Sequence, residues 1–242
     1  MSATANVARP RATRGRIATF AASTVGKKIA MAVTGLIMAG FLVVHMTANL
    51  LAFAGPEHIN AYARFLRSVP EILWLVRAVL LGSVIVHAIS AFQLSRAGAE
   101  ARPVGYAMRE PQIATIASRT IRWLSILVAL FIVIHLLHFT TGTLLPGFVH
   151  LDPYANLVNA FTTQRFMAVF YIVMMVVVGL HLYHGTWSAI RTLGLSRPRR
   201  NPFSRPFATI LAVGLWIGFT AIPVAVLAGW IGPRSTVAVE TR

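Results

Sequence analysis

Eight histidines punctuate this chain, and six of them (His45, His87, His135, His138, His181 and His184) fall inside long apolar stretches. A polar side chain in hydrocarbon is costly, so it normally faces the interior of a helix bundle and finds a partner there. One such histidine is ordinarily a hydrogen-bonded packing residue. Four successive apolar segments that each carry one point instead to a shared ligand. The chain has no cysteine, which excludes disulfides, thiolate-held clusters and cysteine nucleophiles. Its six acids, Glu57, Glu71, Glu100, Glu110, Asp152 and Glu240, all lie outside the apolar stretches. His135-x-x-His138 and His181-x-x-His184 could clamp a zinc ion at helical spacing, but a cation pathway without an intramembrane carboxylate is poorly supported. A Ser/His/Asp hydrolase has neither its nucleophile motif nor its buried acid. The chemistry that remains is axial ligation of haem iron by neutral imidazoles from two sides, which leaves no position for a substrate and suits electron transfer.

Such histidines need apolar elements to carry them. Hydrophobic residues make up 57% of the 242 and charged residues only 12%, about half of what a soluble domain of ordinary composition holds, roughly 25%. Five segments, approximately 28–53, 72–95, 121–144, 166–190 and 207–232, are long enough for a hydrocarbon core that takes about 20 helical residues to cross. None shows sustained period-two alternation, which argues against a barrel. The expected fold is all-α: an integral membrane bundle of five transmembrane helices at 28–232. A basic arm at 1–27 precedes it and a short tail at 233–242 follows. Gly55-Pro56, Pro70, Pro103, Pro111, Pro146-Gly147, Pro153 and the run from Pro198 to Pro206 punctuate the connectors.

The arginine-rich start resembles a targeting n-region, but the apolar run at 29–53 exceeds a signal h-region of roughly 7–15 residues and reads as a retained first helix. The net charge of +16 is read as topology, not as a nucleic-acid footprint, because apolar spans interrupt the basic clusters. Sixteen of the 22 Lys and Arg fall on one side, in the arm (Arg9 to Lys28), the second connector (Arg96 to Arg122) and the fourth (Arg191 to Arg205). By the positive-inside rule that side, with the N-terminus, is cytoplasmic.

Depth sorts the histidines into two layers. At 1.5 Å per residue, His45 lies roughly 26 Å from Lys28, and His135 and His138 about 20 and 24 Å from Arg122. The same rise puts His87 some 14 Å from Arg96, and His181 and His184 about 15 and 10 Å from Arg191. Helices I and III thus furnish an outer layer and helices II and IV an inner one, an arrangement that suits two stacked bis-histidine haems. Gly35, Gly40, Gly82 and Gly179 could admit a macrocycle or merely close helix packing. Lys27, Lys28, Arg96 and Arg191 are inner-side candidates for propionates. His58 and His150 are expected in outer loops.

Several segments together resemble the five-helix dihaem cytochrome b membrane subunit of succinate dehydrogenases and fumarate reductases, over about residues 23–232. They are Ser23-Thr-Val-Gly-Lys-Lys-Ile-Ala-Met31 leading to Thr34-Gly35, then His45-Met-Thr-Ala-Asn49-Leu50 and Asn60-Ala-Tyr-Ala-Arg-Phe-Leu66. Next come His87-Ala88, Ala101-Arg-Pro-Val-Gly-Tyr106 and Ile134-His135-Leu136. The last are His184-Gly185 with Ser188-Ala189 and Thr192-Leu-Gly194, and Gly218-Phe-Thr-Ala-Ile-Pro223. The resemblance implies two haem b groups, the inner held by His87 and His184 and the outer by His45 and His135. The depth count leans instead to His138 and His181, which on the motif assignment become hydrogen-bonding or packing residues.

Where some members of that family carry a glutamate two residues before the helix IV ligand, this chain has Leu182, which argues against that transmembrane proton route. Glu57 or Glu71 could still serve an outer quinone site. The resemblance further implies a multi-pass subunit of the cell inner (cytoplasmic) membrane, part of respiratory complex II and the tricarboxylic acid cycle. Flavoprotein and iron–sulfur subunits would dock on its basic cytoplasmic face, and quinone, expected to be menaquinone, would be its electron carrier. The complex could associate into a higher oligomer. No succinate chemistry is expected on this chain itself. Trp123, Tyr106 and Tyr183 are candidates for quinone contact. The competing readings are a cytochrome b subunit of a formate dehydrogenase or hydrogenase, and a non-redox histidine-lined transporter.

Overall fold

A computed structural model describes residues 15–101, 116–197 and 202–233. Eight α-helices run in the order α1 (Arg16–Ala22), α2 (Thr24–Leu50), α3 (Pro56–Ser68), α4 (Pro70–Glu100), α5 (Ile116–Phe139), α6 (Pro153–Thr163), α7 (Arg165–Thr192) and α8 (Ser204–Leu227), with no strand among the described residues. Five of them, α2, α4, α5, α7 and α8, are long and apolar enough to cross a membrane. The chain is therefore a multi-pass membrane protein. The arm at 1–14, the segment at 102–115 with Tyr106 and Glu110, residues 198–201 and the tail at 234–242 lie outside the described residues.

Local chemistry sets the helix ends. The Ser23 hydroxyl accepts from the Gly26 N–H at 3.0 Å and so caps α2. Asp152 caps α6 by accepting from the Ala155 N–H at 2.9 Å. Pro56, Pro70 and Pro153 occupy first turns, where the missing N–H costs nothing. Gly194 and Gly229 take φ of +75° and +76° just past the ends of α7 and α8, the left-handed conformation that closes a helix and that glycine adopts freely.

Close backbone packing joins α7 to α8, α2 to α4, α7 and α8, and α5 to α7. On α7 and α8, Ala168, Ala208 and Ala225 are buried to 1% exposure or less; small residues let helix backbones approach where lipid supplies no hydrophobic drive. Met46 of α2 fills the space that a side chain at Gly218 of α8 would need. By contrast Leu81, Phe92 and Ile210 point outward and are largely exposed, as side chains bathed in acyl chains would be. Exposed Trp74 and Trp230 stand at one end of the bundle and Trp123 at the other, the interfacial placement aromatic residues favour.

The structure departs from the sequence expectation in the connectors. The segments expected as loops around Pro56 and Pro153 form α3 and α6, so His58 lies in a helix; His150 stays in a turn, edge-on to Phe148. These two short helices are tied across the end of the bundle. Buried Asn60 donates to Asp152 at 2.9 Å and accepts from the Tyr154 N–H at 3.2 Å, and the Tyr154 hydroxyl donates to the Gly232 carbonyl at 3.0 Å. Helix α5 stops at Phe139, short of the expected 144. Gly142 turns the chain at φ +73°, and the Thr141 and Thr143 hydroxyls donate to the freed Leu137 carbonyl. Helix α8 likewise ends at Leu227, before 232, where Gly229 breaks the helical run.

Candidate functional site

The intramembrane imidazoles meet in two separate groups. The rings of His45 of α2 and His135 of α5 stand nearly perpendicular, with centres 5.8 Å apart. Those of His87 of α4 and His181 of α7 have centres 6.3 Å apart. Two imidazoles bonded at about 2 Å to opposite sides of one iron have ring centres roughly 6 Å apart. Both pairs have centre-to-centre distances of that size, with ring planes at 85° and 59°. The helices that carry them, α2 with α5 and α4 with α7, are not among the closely packed pairs. The rings therefore bridge helices whose backbones are not closely packed against each other.

Hydrogen bonds fix which ring nitrogen is available. The Met31 carbonyl lies 3.0 Å from His87 Nδ1. A carbonyl can only accept, so Nδ1 carries the proton and Nε2 keeps a free lone pair. Gly35 makes room for this ring: a Cβ there would lie 3.2 Å from His87 Cε1. The sequence marked Gly35 alongside Gly40, Gly82 and Gly179. Of these, a Cβ at Gly40 or Gly82 would meet open space, and one at Gly179 would touch Trp216 at an ordinary 3.6 Å.

On the other side, the Asn49 side-chain amide donates to the His45 carbonyl at 2.7 Å and stands 3.4 Å from His45 Nε2. An amide N–H there engages the Nε2 lone pair, weakly at this distance, so a metal on Nε2 would have to displace it. Phe41 stacks on His45 and Phe219 tilts against it.

His138 and His184 are placed differently. His138 is fully enclosed, at 0% exposure, and both its nitrogens have partners: the Tyr171 hydroxyl at 3.2 Å and Gln164 Oε1 at 3.0 Å. Its lone pair is not free for a metal. His184, expected opposite His87, lies about one turn beyond His181. Its ring meets Trp187 edge-on, and it borders a cavity of about 330 Å³ with Trp187, Ser188, Arg191 and Thr192. Nδ1 of His181 and of His184 is buried without a hydrogen-bond partner among the described residues. A buried, unpaired ring nitrogen is costly and is a feature that a bound group can relieve.

The remaining candidates scatter. Trp123 is exposed, and Tyr183 packs beside Leu182 and Leu215. Arg96 pairs with Glu100 at 2.7 Å on an exposed surface, whereas Arg191 lines the cavity below His184. Lys27 and Lys28 stand in the first turns of α2.

Sequence reasoning passed over Tyr171 and Gln164. The signal existed, since a tyrosine hydroxyl inside an apolar helix needs a partner and Gln164 precedes it by two helical turns. What it could not supply was the neighbouring helix. Among the described residues no three His, Asp or Glu side chains form a site for a metal ion; within each group, two imidazoles from different helices stand next to each other. Imidazoles from two helices are the donor type that a bis-histidine haem would need. No protein-family profile, no curated protein and no solved structure matches this chain.

Proposed function

We propose that this chain is the haem-bearing membrane anchor of a succinate:quinone oxidoreductase, passing electrons between a docked iron–sulfur subunit and membrane quinone. One observation carries the reading: two pairs of imidazoles from different helices come within 5.8 and 6.3 Å between ring centres, the separation that a shared iron would require, at two levels of one five-helix bundle. Haem iron held by two imidazoles exchanges single electrons and offers no open position to oxygen or substrate. His45 and His135 would hold the outer group. His87 would hold the inner one with His181, whose ring stands opposite it; His184 is the alternative that the resemblance implies. The Met31 carbonyl would orient the His87 ring, and Arg191, beside the cavity at His184, would be available to a propionate.

The choice of complex follows from the resemblance, and the basic face offers docking for acidic-surfaced partners. On this reading the N-terminus is cytoplasmic, the membrane is the inner (cytoplasmic) one, the partners are a flavoprotein and an iron–sulfur protein, and the carrier is menaquinone. The test uses membranes solubilised gently enough to keep the complex together. Succinate should reduce the b-type haems of the purified assembly. Reduction by formate or hydrogen with none by succinate would assign the chain to another dehydrogenase.

A further inference from the structure

Four side chains form one hydrogen-bonded line from the end of α7 to the outer imidazole pair. Its direction can be derived from the far end. The Leu144 carbonyl can only accept, and Gln164 Nε2 donates to it at 3.1 Å. Gln164 therefore presents Oε1 to His138, and Oε1 can only accept, so His138 Nε2 carries a proton across their 3.0 Å contact. In neutral imidazole the other nitrogen is then an acceptor, and the Tyr171 hydroxyl 3.2 Å away must donate to it. Having given its proton to His138, the Tyr171 oxygen has only lone pairs for His135 Nδ1 at 3.4 Å. His135 must in turn carry its proton on Nδ1. Its Nε2 lone pair is thereby left free.

We propose that Gln164, His138 and Tyr171 are positioning residues that fix the tautomer and aim of His135 as an axial haem ligand. The inference rests on the haem reading above and goes beyond it: a buried relay chooses between two neighbouring histidines. His138 spends both nitrogens on the line and is fully enclosed, while His135 is left with a lone pair and has its ring centre 5.8 Å from that of His45. The Tyr171 ring is clamped among Phe131, Phe139, Phe161 and Phe170, so its hydroxyl has a fixed position. A partner that accepts from the distal N–H of a ligating histidine raises its basicity, and removing such partners commonly weakens metal binding about 10- to 100-fold.

The test is Tyr171→Phe, which keeps the clamped ring and deletes only the hydroxyl. Redox titration and low-temperature EPR of the purified protein read the two haems, each assigned with His45→Ala and His87→Ala. The outer haem should hold its ferric state less tightly and shift upward in potential, by about 59 mV for each tenfold loss of ferric preference, while the inner haem stays put. Gln164→Leu should move the same haem in the same direction by less, and it serves as the test if Tyr171→Phe does not assemble. An outer haem unchanged in potential and EPR signal, or both haems displaced equally, would overturn the positioning role. Wild-type protein without haem would instead overturn the haem reading, and this inference with it.

Discussion

Gly35 offers a perturbation aimed at one imidazole through another helix. A methyl at this position would lie 3.2 Å from His87 Cε1 and 3.4 Å from Nδ1, whereas unstrained carbon contacts settle at about 3.5–4.0 Å. The ring must give way by a few tenths of an ångström. Its Nδ1–H bond to the Met31 carbonyl is 3.0 Å, and the same displacement takes that bond to about 3.3 Å, beyond the favoured range. The net value of such a bond is about 1 kcal/mol, so Gly35→Ala should weaken the inner haem up to roughly fivefold. Gly35→Val, which adds branched carbons toward the ring, should reach about 10- to 100-fold. Helix propensity works in the opposite direction, because alanine stabilises a helix interior over glycine by roughly 0.5–1 kcal/mol. Haem loss without loss of bundle stability is thus the signature. The assay is haem per protein together with a redox titration, in which only the His87-linked component should change. A Gly35→Val protein with both haems retained at wild-type potentials would refute the reasoning.

Other substitutions probe the remaining contacts. His181→Ala should lose the inner haem while His184→Ala keeps it, as counted by haem extraction; the reverse result would return the ligand role to His184. Gly218→Val forces a branched side chain into the space filled by Met46 and should destabilise the α2–α8 contact by roughly 1–3 kcal/mol. Unfolding in mixed micelles measures that cost, and an unchanged transition would contradict it. Asn60→Ala removes both bonds from α3 to the start of α6 and should cost roughly 1–3 kcal/mol locally. It should appear as faster hydrogen exchange in α3 and α6 with haem content intact; equal exchange rates would count against the tie.

The five spans were legible because lipid imposes a length and a composition that few other constraints can mimic. Ends were less so. Helix α5 stops where Gly142 and two threonine hydroxyls offer the chain an alternative, and hydropathy does not register that competition. Helices α3 and α6 escaped because both are short, and part of what secures them is contact with each other through Asn60, Asp152 and Tyr154, 92 residues or more apart in sequence.

Within the site, the two layers followed from counting residues along helices. Which ring of α7 stands nearest His87 did not. His181 and His184 differ by three residues, about 4.5 Å of rise, which is within the error of a sequence-drawn helix end. Rotation about the α7 axis decides between them, and that depends on how α7 packs on α8 and α2. Tyr171 shows the same gap: its helix and depth are readable, but that it stands between His135 and His138 is a property of two helices together.

Pigment content is the direct measure of the central claim. The full chain, purified from membranes in mild detergent, should contain two moles of b-type haem per mole, with low-spin spectra and two separable potentials. Correctly inserted protein that carries no porphyrin after expression with ample haem supply would contradict the account.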